Sequence, residues 1–160
     1  MKSHLKIKGL LMGLLGCLLS CSTQKMPEGR LLSMEYTVTG TMAGYQYEMH
    51  VKRSSDTIML RAMKEEYGPL YEKMLSEEEL AGYVQIIRDA KMYHYKERYL
   101  PPFEVLDGYM WSYSAMFENG SIYSHGSNAL PPGDGLKRIR AYTNKLLEHD
   151  ARAVEEDADD

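Results

Sequence analysis

The chain has 160 residues, is 44% hydrophobic and 26% charged, and carries a formal charge of −4. That length suffices for one ordinary domain and is too short for two. The acidic balance comes with no basic stripe, which excludes the electrostatic footprint of a nucleic-acid binder.

The N-terminus begins with Lys2, Lys6 and Lys8, continues with an apolar run from Gly9 to Leu19, and places Ser20 before Cys21. Basic, apolar, then small before cleavage is the order of a secretory signal. A transmembrane anchor needs about 20 apolar residues, and the polar Ser20, Ser22, Thr23, Gln24 and Lys25 end this run too early. The Leu18-Leu19-Ser20-Cys21 ending resembles the lipobox of bacterial lipoproteins. The resemblance implies cleavage before Cys21, acylation of its sulfur and of the new N-terminus, and a stable membrane anchor. Leu14-Leu15-Gly16-Cys17 also fits the motif. Cutting there would shorten the apolar region and leave Leu18-Leu19 beside the lipid, so Cys21 is the better site. Residues 1–20 are therefore expected to be a lipoprotein signal peptide.

Loss of residues 1–20 removes three lysines, leaving 16 basic residues against 23 acidic ones, a balance of −7 over 140 residues. Cys17 and Cys21 are the only cysteines. The mature domain then has no disulfide, thiolate nucleophile or cysteine metal site, and its core must hold it together.

Residues 21–30, with Pro27 and Gly29, predict a tether between lipid and domain. Three strand patterns follow. Leu32, Met34, Tyr36 and Val38 alternate with polar residues, as do Tyr45, Tyr47, Met49 and Val51, and a hairpin over 40–44 joins the two runs. The third strand, 57–63, carries Ile58, Leu60 and Ala62 on one face. Then the period changes to a helix. Ser76 and Glu79 form a capping box, Leu75 and Leu80 a staple, and Leu80, Tyr83, Val84 and Ile87 an apolar face ending near Met92.

Residues 93–109 predict an aromatic loop broken by Pro101-Pro102. Two strands follow, the first with Trp111, Tyr113, Ala115 and Phe117 on its inner face. Asn119-Gly120 is expected to make a type I′ turn, with positive φ at both residues. Asp134 is expected to cap a second helix with Leu136, Ile139, Thr143 and Leu146 inward. Residues 149–160 read as an acidic disordered tail. The expected architecture is α+β: one domain over 31–148, a mainly antiparallel five-stranded sheet in βββ-α-ββ-α order, and two helices on one face.

Few residues suggest chemistry. Glu48 and His50 share a strand face but are too few for a metal site. The scattered methionines read as core filling rather than thioether ligands for copper. Ser124-His125 lacks a nucleophile elbow, and neighbours on a strand point to opposite faces. No metal, cofactor or catalytic residue is expected. The segment 93–148, with Asp107-Gly108, Trp111, Gly126, Asn128 and Pro131, resembles the C-terminal half of small Bacteroidetes-type envelope lipoproteins. They share an Asp-Gly-x-x-Trp strand, a Gly-x-Asn-x-x-Pro loop and a closing helix. The resemblance implies an α+β domain and supplies no reaction. Surface-destined lipoproteins of such envelopes often carry an acidic run just after the cysteine. Ser22-Thr23-Gln24-Lys25 lacks one, so the resemblance implies a periplasm-facing position, and the outer membrane is the expected site.

The expected function is a lipid-anchored, non-catalytic binding or structural module. Tyr95, Tyr99, His125 and Asn128 are its candidate contact residues, and its partner is another envelope protein, peptidoglycan or a small ligand. The alternative is an envelope hydrolase using His94, His125 and nearby carboxylates such as Glu97 and Asp107. An enzyme would gather such groups in one pocket, and a binding module would expose an aromatic patch.

Overall fold

The computed structural model describes residues 24–40, 46–65, 68–103, 105, 108–148 and 151–154. The chain forms strands β1 (Glu28–Gly40), β2 (Gln46–Ser54), β3 (Thr57–Met63) and β4 (Leu70–Met74), then helix α1 (Glu77–Asp89). A short 3-10 turn at Met92–His94 leads to β5 (Arg98–Tyr99), β6 (Tyr109–Ser127), α2 (Gly135–Leu147) and β7 (Arg152–Val154). These strands make one mixed sheet in the order β5-β6-β1-β2-β3-β4-β7. Only the β5–β6 contact is parallel. The α+β class and the two helices agree with the sequence expectation.

The strand count and order do not. Seven strands replace the expected five, because β4, β5 and β7 carry little alternation of their own and are recruited by neighbours. Glu28–Arg30 belong to β1 rather than to the tether. Arg152–Val154 pair with β4, so part of the expected disordered tail is ordered. Residues 155–160, residues 41–44 of the expected hairpin, Cys21 and Asp107 lie outside the described residues. In β1, Leu31 is buried and Leu32 only partly so. Between Leu31 and Ser33 the register slips by one residue, and such a slip exchanges the two faces.

β6 is the largest departure. Its 19 residues are one continuous strand element where the sequence predicts two strands joined by a turn. Held straight, it would span about 60 Å. Yet the Tyr109 carbonyl accepts from the Asn128 amide at 3.0 Å, so the two ends lie side by side. β6 must double back. The switch of its buried set from Trp111, Tyr113, Ala115 and Phe117 to Ile122, Ser124 and Gly126 places the reversal at residues 118–121. Gly120 has φ +146°, and Asn119 is not at positive φ, so the type I′ turn expected at this pair is not formed.

The inner face of the sheet is continuous. Register aligns Ala115, Met34, Val51 and Leu60 in one row, and Tyr113, Tyr36, Met49 and Ala62 in the next. Both helices cover this face. The Thr143 hydroxyl of α2 donates to the Ile139 carbonyl at 3.0 Å and lies 2.9 Å from the Tyr83 hydroxyl of α1. The Met49 sulfur sits 3.5 Å from the same hydroxyl, joining sheet and both helices at one point. Ser76 and Glu79 form the expected capping box on α1, with bonds of 2.8 and 3.1 Å. That helix ends at Asp89, short of Met92, because Lys91 turns into the left-handed region with φ +50°. Asp134 is the N-cap of α2 by position but makes no side-chain capping bond.

The core is rich in tyrosine rather than phenylalanine. Burial pushes the hydroxyls of Tyr36, Tyr47, Tyr83 and Tyr113 above their usual range and that of Tyr95 up to about 12. In the unfolded chain these groups ionise near pH 10, whereas the fold keeps them protonated. Stability is therefore complete below about pH 10 and falls as pH rises above it. The urea midpoint should be flat from about pH 7 to 9 and drop sharply by about pH 11, with tyrosinate absorbance at 295 nm appearing in step with unfolding. An unchanged midpoint at the higher pH would show that these hydroxyls do not oppose ionisation.

Candidate functional site

The uncovered face of the sheet is built from two kinds of row. One is a charge ladder. Register places Glu35, His50, Arg61, Glu72 and Arg152 opposite one another across five strands. His50 Nε2 lies 2.5 Å from Glu48 and Nδ1 3.5 Å from Glu35, and Arg61 pairs with Glu72. The two ring nitrogens of His50 thus face different carboxylates, rather than converging with them on one point as metal ligands must. Among the described residues no group of three His, Cys, Asp or Glu could hold a metal ion. Such exposed pairs are worth about 0–1 kcal/mol each and serve mainly to keep the face solvated.

The other row lies towards the β5 edge. Arg98 pairs in register with His125, and Thr37 with Ser112. The Thr37 and Ser112 hydroxyls bond at 2.8 Å. Together with Met110 and Tyr123 these residues border a groove of about 360 Å³. A second hollow of about 420 Å³, under the Pro101-Pro102 loop, shares Leu100 and Ser127 with it. Of the eight exposed large hydrophobic residues described, Leu100, Phe103, Val105, Met110 and Tyr123 line these two hollows. An aggregate of this kind on one end of a small domain is a mark of an interaction surface.

The four sequence candidates divide between scaffold and groove. Tyr95 is buried, its hydroxyl set against Gly135 at the start of α2. Tyr99 is half-buried and packs its ring 6.0 Å from Trp111, and its hydroxyl accepts from the Lys96 amide at 2.9 Å. Asn128 is a lock. Its backbone is left-handed, with φ +51°, and its Oδ1 accepts from the Tyr109 amide at 3.0 Å. Its Oδ1 fills the space where a Cβ on Gly108 would stand, only 1.6 Å away, so glycine is required there. Asn128 also borders the hollow beneath the proline loop.

His125 is the sequence candidate that lines the groove. Its amide donates to the Glu97 carbonyl at 2.9 Å, and its ring lies 5.5 Å from that of Tyr123. Its Nδ1 is buried with no hydrogen-bond partner among the described residues. Ser124 faces inward and donates to the Lys96 carbonyl at 2.7 Å, away from the His125 ring. His94 is exposed on the 3-10 turn, 4.4 Å from the Tyr93 ring, and does not line the His125 groove, which holds no acidic residue among those described. The described residues do not assemble the histidine–carboxylate set of a hydrolase.

Sequence reasoning missed Leu100, Phe103, Met110 and Tyr123. Tyr123 and Met110 sit at alternate positions of apolar strand patterns, a signal for their outward face. Nothing local shows that β5 brings Arg98 and Leu100 against them.

The lock makes an ordered prediction. Asn128→Ala loses the Tyr109 bond and strains a left-handed residue, so it should cost about 2–4 kcal/mol of unfolding free energy. Asn128→Gly removes the bond without the strain and should cost about 1–2 kcal/mol less than the alanine. Equal losses in urea unfolding would show that the backbone conformation carries no cost.

Comparison with protein-family models, with curated proteins and with solved structures finds no match to this chain.

Proposed function

We propose that the protein is a lipid-anchored component of a bacterial cell envelope, held in the outer membrane through Cys21 and facing the periplasm. On this reading it is a non-catalytic binding module. The observation that carries the binding role is the cluster of Leu100, Phe103, Val105, Met110 and Tyr123 around two joined hollows at one end of the sheet. The register supplies a direction. Glu28 pairs with Asn119, whereas Thr39 pairs with Met110. Eleven residues of β1 therefore separate the point where the chain enters the domain from the groove, about 35 Å at the usual strand rise. An anchor attached ahead of residue 24 would join the domain at the entry end, with the apolar cluster towards the far end. The cluster is thus aimed at a partner away from the anchoring bilayer. The lipobox order of residues 1–21 supports the anchor.

Two experiments test the two halves of this reading. Cys21→Ser should leave an uncleaved precursor that takes up no labelled fatty acid, while Cys17→Ser should mature and label normally. Persistent labelling of Cys21→Ser would refute the anchor. For the binding surface, a photo-crosslinking residue at Phe103 should yield discrete adducts in living cells, and the same residue at Asp56, in the turn between β2 and β3, should not. Equal adduct patterns from both positions would remove the distal end as the binding surface.

A further inference from the structure

The groove bordered by Arg98, His125 and Tyr123 differs from the other hollows in its charge. The chain carries 23 acidic residues against 19 basic ones. The large hollow beside β4 is lined by Glu72, Glu78 and Glu79, with Lys73 and Arg152 to offset them. The hollow over the centre of the open face holds Glu35 and Glu72 beside Lys52 and Arg61. In each of these the cations have carboxylates beside them. Among the described residues, the groove at the β5 edge has Arg98 and His125 in its lining and no acidic residue. Arg98 is exposed and is not among the salt bridges of the described residues.

The remaining walls are suited to an apolar body. Leu100 and Met110 are each 54% exposed and Tyr123 is 53% exposed, so apolar area is left open beside the cation. The volume of about 360 Å³ falls at the lower end of the range for small-molecule sites. His125 borders the groove, and its buried Nδ1 has no hydrogen-bond partner among the described residues.

We propose that this groove binds a small monocarboxylate with an apolar body. Arg98 receives the carboxylate, His125 offers it a second donor, and Leu100, Met110 and Tyr123 cover the body. A guanidinium presents paired N–H donors that match a carboxylate, which an ammonium would not. The inference rests on the binding-module reading and adds to it the chemistry of the ligand.

Trp111 is the only tryptophan and borders the groove, so its emission reports occupancy. The full-length chain is titrated with 4-phenylbutyrate, with octanoate and with the uncharged 4-phenylbutanamide. Ligand-observed NMR serves as a second readout independent of Trp111. Both acids should bind saturably, with Kd on the order of 0.1–1 mM as expected for ligands of about a dozen heavy atoms. Binding of one acid alone assigns the body as aryl or alkyl. The amide should bind at least about tenfold more weakly. Arg98→Gln, at an exposed side chain, should weaken the acids to the level of the amide and leave amide binding unchanged. The proposal is overturned by equal affinity for acid and amide, by unchanged acid binding in Arg98→Gln, or by no saturable signal in either readout up to about 10 mM. Adducts from Phe103 in the face of such a result would leave the distal binding surface standing and remove only the carboxylate. Loss of both would remove the surface itself.

Discussion

The doubling back of β6 is the constraint on which the rest of the molecule depends. Its first arm supplies the long pairing with β1, from Gly40–Tyr109 down to Glu28–Asn119. Its second arm carries the parallel contact to β5. The ends are closed by the two bonds between Tyr109 and Asn128, and Trp111 Nε1 is held by the Ala129 carbonyl at 2.7 Å. Without that closure β5 has no strand to join, Trp111 loses its partner, and the groove has no wall.

The sheet divides its chemistry by face. Inward rows of Met, Tyr, Val and Leu bury apolar area against two helices, and burial at about 25 cal/mol per Å² supplies most of the stability. Thr143 and Tyr83 meet in that interior, and the Ile139 carbonyl accepts from the Thr143 hydroxyl, so this polar contact is satisfied. The outward rows are charged or hydroxylic and pair with one another. A half-solvated antiparallel sheet is stable in this form without a second layer. The β5 edge breaks the pattern, since there the outer face turns apolar and Arg98 makes no salt bridge to a described carboxylate.

That local departure shapes the functional reading. A solvated charge ladder needs no partner, because its groups already compensate each other. Exposed Leu100, Phe103 and Met110 gain nothing from water, and a small domain rarely gathers them on one end without a use. Their position remote from the chain's entry into the sheet separates the proposed tasks of anchoring and binding. Rigid support comes from Tyr95, Tyr99 and Asn128, which hold the loops on either side rather than reaching out themselves.

The sequence by itself determined the elements whose signal is local. The period-two runs in β2 and β3, the capping box of α1 and the inner stripe of α2 depend on side chains a few residues apart, and they appear where the pattern places them. The lipobox-like ending at Cys21, on which the proposed anchor rests, is likewise a local pattern. Only the tertiary structure decided the rest. β4, β5 and β7 are short, weakly patterned segments whose hydrogen bonds come from strands distant in the chain. The register slip in β1 shows only in its pairing with β6. The reversal of β6 was legible in position but not in turn type, since Gly120 alone takes a positive φ. The groove was hidden for the same reason. Arg98, Thr37 and His125 are far apart in sequence, and only pairing between strands sets a cation, a hydroxyl and an apolar wall side by side.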